Sequence, residues 1–299
     1  MTKLHTPYDG SARPFTVGLH PLDPKEWIEV DERLPEYLAR KNELLSERHR
    51  ETSLAEPETV AAQQEVLDLL LPYLLERYPE MYRCSSGEVS VTATGDSYAI
   101  DAYGHQPLEL AARLVQEDLV IMRPGADGHR IAAACVCFPS EWLLREKFGK
   151  VLADVHEPVP GLARGTRNAQ MIERIFGNLS VDRPVERFNW FLLRNPDLFL
   201  PELEHTKGSM FDRDGTPRIW IRVERQTLRR LARSGDILFT IRICTDPFER
   251  LAQHEDAVEL AAAMRQQILD LDPDQLEYKG LIDEGSRVIA ELDRIVGAD

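Results

Sequence analysis

Between Thr216 and Cys244 the chain alternates apolar and polar residues in two runs joined by a turn. Ile219, Ile221 and Val223 occupy one phase of the alternation, and Trp220, Arg222, Glu224 and Gln226 the other. A period of two puts each set on its own face of a β-strand. Arg233-Ser234-Gly235-Asp236 supplies the turn, with Gly235 free to take a positive φ. The return strand, Ile237 to Cys244, is rich in β-branched and aromatic residues. The polar face has two readings. Rows of charge on a strand are usually solvated. Alternatively, the sheet is concave there and holds a ligand against an inward carboxylate and guanidinium.

The pattern elsewhere predicts helices interspersed with antiparallel strands. Residues 1–25, rich in Pro, Gly and polar groups, read as an extended arm. Pro24 is expected to open a helix through PKEWIEVDERLPEYLARKNELL, capped by Asp23 and kinked or split at Pro35. Lys41–Thr52 reads as a charged helix or linker. Glu58 to Tyr82 carries the clearest apolar stripe, bent at Pro72. GEVSVTATG and SYAIDAY read as two short strands within 84–104. A helix over Leu108–Gln116 follows, then strands Asp118–Arg123 and Arg130–Phe138 about the turn Pro124–Gly128. Pro139-Ser140 is expected to cap a helix over Glu141–Phe148. Arg164–Leu179 reads as helix and Pro184–Leu193 as strand, with Arg187 and Asn189 on one face and Phe188, Trp190 and Leu192 on the other. A polar or acidic loop over 195–215 leads to the hairpin. Helices Phe248–Leu271 and Asp274–Val296 are expected to close one end. The order is that of an α+β fold, not of regular βαβ units. The expected division is an N-terminal arm and helices over 1–83, a core over 84–246 and C-terminal helices over 247–299, packed as one unit.

Composition narrows the function. The 299 residues carry a formal charge of −15, which disfavours nucleic acid and anionic lipid as partners. Cys84, Cys135, Cys137 and Cys244 are too few and scattered for a disulfide framework, and Cys135-x-Cys137 lies in an apolar run. The opening MTKLHTPYDG has no apolar h-region, and no apolar run approaches the ~20 residues that span a bilayer. A cytoplasmic, reduced protein is expected. GxGxxG, GxxxxGK[ST], HExxH and GxSxG are absent, and the eight histidines do not cluster as zinc ligands would. One histidine is conformationally constrained. In VLADVHEPVPG, Pro158 and Pro160 forbid a continuing helix, so His156 sits where helix gives way to loop. A lone imidazole can be a surface or structural group. It can also be an axial haem ligand, because the porphyrin supplies the other four nitrogens.

HEPVP, RFNW and RVERQTLRRL followed by ILFTIR occur here in that order. With EWIEVDERLPEYLARKNELL, QEDLVIM and FPSEWLLREKFGK, they resemble the alpha subunit of haem-dependent oxidative N-demethylase, over about Leu19 to Ile243. One departure is Ala232, where that family would place proline after RRL. The resemblance implies a PAS-like fold: an antiparallel sheet with helices on one side and haem b between them. It implies oxidation of a secondary amine such as dimethylamine by O₂ and two electrons, giving the primary amine and formaldehyde. The electrons would come from NADPH through a separate flavin and iron–sulfur reductase subunit.

By the same resemblance, His156 would be the proximal ligand to iron through Nε2. Its second ring nitrogen would need an acceptor. Arg187 would lie over the distal face, where a guanidinium can stabilise charge that develops as oxygen is activated. Glu224 would bind the substrate ammonium and could accept its proton. Arg222 and Gln226 would contact the haem propionates or support the other site residues, unless they form only a solvated ion pair. A haem or small-ligand sensor without turnover is the competing reading of the same fold.

Overall fold

The computed structural model describes residues 4–202 and 208–297. Of the loop expected over 195–215, residues 203–207 therefore lie outside the described residues, as does His205. The chain is built on a seven-stranded antiparallel sheet of order β1-β8-β9-β10-β6-β7-β2. Its strands are β1 (His20–Pro21), β2 (Ser53–Ala55), β6 (Asp118–Gly125), β7 (Gly128–Cys135), β8 (Val185–Leu193), β9 (Trp220–Arg230) and β10 (Ile237–Pro247). The second sheet is a small meander of β3 (Tyr82–Ser85), β4 (Glu88–Val91) and β5 (Asp96–Ala99). The α+β reading holds, with one strand more in 84–104 than the alternation predicted. Because β1 and β2 form both edges of the main sheet, the segment before residue 84 is part of the core architecture and not only an extension of it.

The longest pairing is the β9–β10 hairpin, which runs from Arg230 opposite Ile237 to Trp220 opposite Pro247. Its turn is tied by Leu231 N–H to the Asp236 carbonyl at 2.8 Å, with Gly235 at φ 75°. Side-chain register then decides the two faces. Arg187 lies opposite Gln226 and Asn189 opposite Glu224. Gln226 and Glu224 in turn lie opposite Ile241 and Ile243, and Ile241 opposite Asp118. Directly opposed residues share a face, so these polar groups and the apolar row of β10 look the same way.

Both faces of the sheet are covered. On the far face, Leu119, Ile121 and Leu238 pack with helices Leu34–Glu47, Val60–Arg77 and Pro107–Leu114. Trp190, Leu192, Ile221 and Val223 pack there with helices Ala257–Leu269 and Gly285–Val296. On the near face, Val120, Met122, Ile131 and Leu228 meet Leu152, Leu162, Ile172 and Phe176 from the single-turn helix Leu152–Val155, the loop after it and helix Arg167–Asn178. This corrects the expectation of helices on one side only. Among the described residues no helix is long and apolar enough to cross a membrane.

Two expected helices are overturned, each by competition for backbone groups. The stretch 24–33 is helical only as a 3-10 turn over Pro24–Glu26, which Asp23 caps as expected. The Arg225 guanidinium bonds the Glu26 and Trp27 carbonyls at 2.6 and 3.2 Å, and the Tyr78 hydroxyl bonds the Ile28 carbonyl at 2.7 Å. Carbonyls committed to side chains cannot also accept i+4 amides. The helix starts instead at Leu34, so Pro35 falls in its first turn and initiates it without a kink. In 141–148 only Leu144–Lys147 is helical. Glu141 has φ 63° and its N–H bonds the Leu200 carbonyl at 2.7 Å, which holds the chain extended against that loop.

Candidate functional site

The near face of the sheet forms one wall of a cavity of about 610 Å³. Typical small-molecule and cofactor sites span roughly 300–1,000 Å³. Val120, Met122, Ile131 and Phe239 from the sheet, with Leu152, Val159, Leu162, Ile172 and Phe176 opposite, make most of the lining apolar. Polar groups interrupt it, and His156, Arg187, Glu224 and Gln226 are among them. Four of the five predicted site residues therefore converge in space from three separate segments.

His156 caps the turn Leu152–Val155, its N–H on the Leu152 carbonyl at 3.1 Å. Its own carbonyl accepts from Val159 N–H at 2.9 Å, which turns the Glu157-Pro158 segment back over the cavity. No described group bonds the imidazole, so the acceptor required for its second nitrogen is not supplied within this set. Burial, with the positive charges of Arg187 and Lys147, pushes its pKa from 6.5 down to about 4. The ring is thus neutral at physiological pH, the form that ligates a metal.

This has a consequence for stability. Between pH 6.5 and about 4 the unfolded chain takes up a proton that the folded chain refuses. Stability contributed by His156 is therefore present above pH 6.5 and lost as the pH falls toward 4. We expect the haem-free protein to lose on the order of 1 kcal/mol more between pH 7 and pH 5 than His156→Gln does, after discounting for water in the cavity. Urea unfolding of the two proteins at both pH values measures this, and equal losses would contradict the assignment.

Arg187 projects from β8 with its Nε buried and unpartnered, while Nη2 makes only a 3.4 Å contact to the Thr16 carbonyl. Burial lowers its pKa and the Glu224 carboxylate opposes that. Glu224 accepts from Gln226 Nε2 at 3.0 Å and from Asn189 Nδ2 at 3.5 Å, so one neighbour on its own strand and one across from it orient one carboxylate oxygen. On the polar face of β9, Arg222 is buried and Glu224 and Gln226 are half-buried on the cavity wall, so the face is not a freely solvated row of charge.

Three aromatic rings share this end of the cavity: Phe15 from the N-terminal arm, Phe191 from β8 and Tyr278 from the helix Pro273–Tyr278. Tyr278 meets Phe15 and Phe191 at centroid distances of 5.7 and 6.0 Å. Burial, then Glu224 and Glu141, push its phenol pKa up. Behind the rings Lys279 donates to the Trp190 carbonyl and lies 4.5 Å from the Phe191 centroid and 4.6 Å from that of Trp190. Burial pushes its pKa down to about 7, against the pull of Glu224. Sequence reasoning missed Phe15, Tyr278 and Lys279. They lie in the terminal segments, and nothing local marks a residue that folds back over a site more than 50 positions away.

Arg222 is the residue whose surroundings differ most from expectation. It is fully buried and does not line the cavity. Its Nη2 donates to the Phe138 carbonyl at 2.7 Å, and its two terminal nitrogens reach the Asp197 and Leu198 carbonyls at 3.3–3.4 Å. That ties the loop after β8 to the end of β7 and leaves no arm for a propionate, a correction to the expected haem contact. Gln226 does line the cavity, but its amide serves Glu224. We expect Arg222→Met to lower unfolding stability by about 2 kcal/mol, because buried carbonyls lose their donor. A urea midpoint unchanged from the parent's would show that the tie carries no stability.

The residues present suit a haem. An apolar macrocycle needs a cavity of sufficient volume with largely apolar walls and a neutral imidazole, and the cavity supplies these. Arg187 is among the residues that line it, and its buried Nε has no partner. Among the described residues no group of three or more His, Cys, Asp or Glu side chains is arranged to hold a metal ion alone. A sequence model of the family described as haem-dependent oxidative N-demethylase, alpha subunit-like, matches residues 18–289.

Proposed function

Because the chain belongs to the haem-dependent oxidative N-demethylase, alpha subunit-like family, we propose that it is a haem b monooxygenase. It would remove a methyl group from a small secondary amine of the dimethylamine class. In balance, the amine, one O₂, two electrons and two protons give the primary amine, formaldehyde and water. The electrons would come from NADPH through a separate flavin and iron–sulfur reductase, and the protein would work in the cytoplasm. We read the sheet with its cavity-covering helices as PAS-like, with the haem-binding core over 84–246.

The observation that carries this reading is one juxtaposition. A neutral imidazole on one wall of an apolar cavity shares that cavity with a guanidinium and a carboxylate flanked by aromatic rings. His156 would hold the cofactor, which supplies the redox chemistry of oxygen. Glu224 would bind the alkylammonium through a charge-assisted hydrogen bond and take its proton before oxidation. Phe15, Phe191 and Tyr278 would enclose the N-methyl groups, since ring faces attract alkylammonium ions and exclude water. Arg187, whose guanidinium is among the groups lining the cavity, would stabilise negative charge that develops beside it.

The test is a titration. Protein purified with supplied haem should show a Soret band, and dimethylamine should shift it. Given a chemical reductant and air, it should then release formaldehyde in step with amine consumed. A colourless preparation despite ample haem would overturn the proposal. A coloured one blind to every methylated amine would leave only a haem-binding protein.

A further inference from the structure

The haem reading leaves two carboxylates to be placed, and Arg222 is committed elsewhere. Three basic side chains are among the residues that line the cavity: Arg187, Lys147 and Lys150. Arg187 already feels the Glu224 carboxylate. Resting on the haem reading above, we propose that Lys147 and Lys150 form the site for the paired propionates and so fix the edge by which the macrocycle enters.

The pair is presented by a constructed turn. Lys150 N–H bonds the Lys147 carbonyl at 3.1 Å, and the turn is stitched to β7 by Gly149 N–H to the Ile131 carbonyl at 3.0 Å and Ile131 N–H to the Lys150 carbonyl at 3.3 Å. Both lysines thereby stay at the cavity rim, Lys147 half-buried and Lys150 exposed. The Lys147 ammonium donates to the Val155 carbonyl at 2.8 Å, one residue before His156, and lies 5.5 Å from the Trp142 ring centroid. It is thus held next to the imidazole that would ligate iron.

Neither ammonium forms an ion pair among the described residues. Of the acids nearby, Asp154 pairs with Arg164 at 2.7 Å, and Glu146 accepts from Leu143 N–H at 3.2 Å and keeps its charge. Two like charges at the cavity rim, with no ion pair of their own among the described residues, gain when a dianionic group arrives. Burial and Lys150 lower the pKa of Lys147, and Glu146 opposes them.

The experiment compares haem with haem dimethyl ester, whose propionates are uncharged, in the parent and in Lys147→Met/Lys150→Met. Release to apomyoglobin is followed in the Soret region. The parent should release the ester about tenfold faster than haem. The double variant should release haem at the ester's rate, with ester release unchanged. Lys147→Arg/Lys150→Arg should retain slow haem release, which separates charge from folding defects. Equal release of both pigments by the parent overturns the lysine assignment alone. A parent that takes up neither pigment overturns the haem reading and the assignment with it.

Discussion

His156→Ala, expressed with ample haem, should purify folded and nearly colourless. The loss of bound haem per chain should exceed the roughly 10–100-fold that removal of an outer partner of a metal ligand costs. The fold should survive because the imidazole holds nothing together: its ring bonds no described group, and only its backbone participates in the turn Leu152–Val155 and the following Val159 contact. Truncation therefore opens space at a cavity wall without stranding a buried polar partner. Exogenous imidazole should enter that space and restore a Soret band, since the cavity and its apolar walls remain. A variant that retains haem with the parent's spectrum would move the ligand to another residue. A variant that fails to fold would be recognised by the loss of its cooperative unfolding transition, and His156→Gln, closer in size, would then carry the test.

How much of this was written in the chain varies from segment to segment. Alternation over β8 and β9 correctly predicted which residues share a face, because a period of two is a local property. His156 could be placed at a helix-to-loop junction because Pro158 and Pro160 act on their neighbours alone. Whether the face with Arg222, Glu224 and Gln226 meets water is not local. It depends on helix Arg167–Asn178, on the loop near Leu198 and on Tyr278, which arrive from elsewhere in the chain. The same reason explains the failed helix at 24–33. Its apolar spacing is helical, but Arg225 and Tyr78, about 200 and 50 residues away, take the carbonyls it would need. It also explains Arg222, which sits in phase with Glu224 yet turns its guanidinium to backbone carbonyls.

For Glu224→Gln we expect amine affinity to fall on the order of 100-fold while haem content stays at the parent level. The size follows from what is removed. A charged partner facing an alkylammonium in a partly desolvated site is typically worth roughly 2–5 kcal/mol, and 1.4 kcal/mol is about tenfold. The substitution keeps the shape of the side chain and leaves a carbonyl that can still accept from Gln226, whose amide is 3.0 Å away in the parent. It removes the negative charge that supports Lys279 and Arg187. Lys279 should consequently hold its proton less well than at its present pKa of about 7, so the site loses one negative charge and part of one positive, a net change smaller than one unit. Amine-induced Soret shifts across a pH series measure both effects at once. Glu224→Asp, charged but shorter, should recover part of the affinity, and recovery would separate charge from shape. If Glu224→Gln binds dimethylamine as the parent does, the ammonium sits elsewhere. The aromatic wall of Phe15, Phe191 and Tyr278, with the Glu141 and Glu277 that also line the cavity, would then be where to look for it.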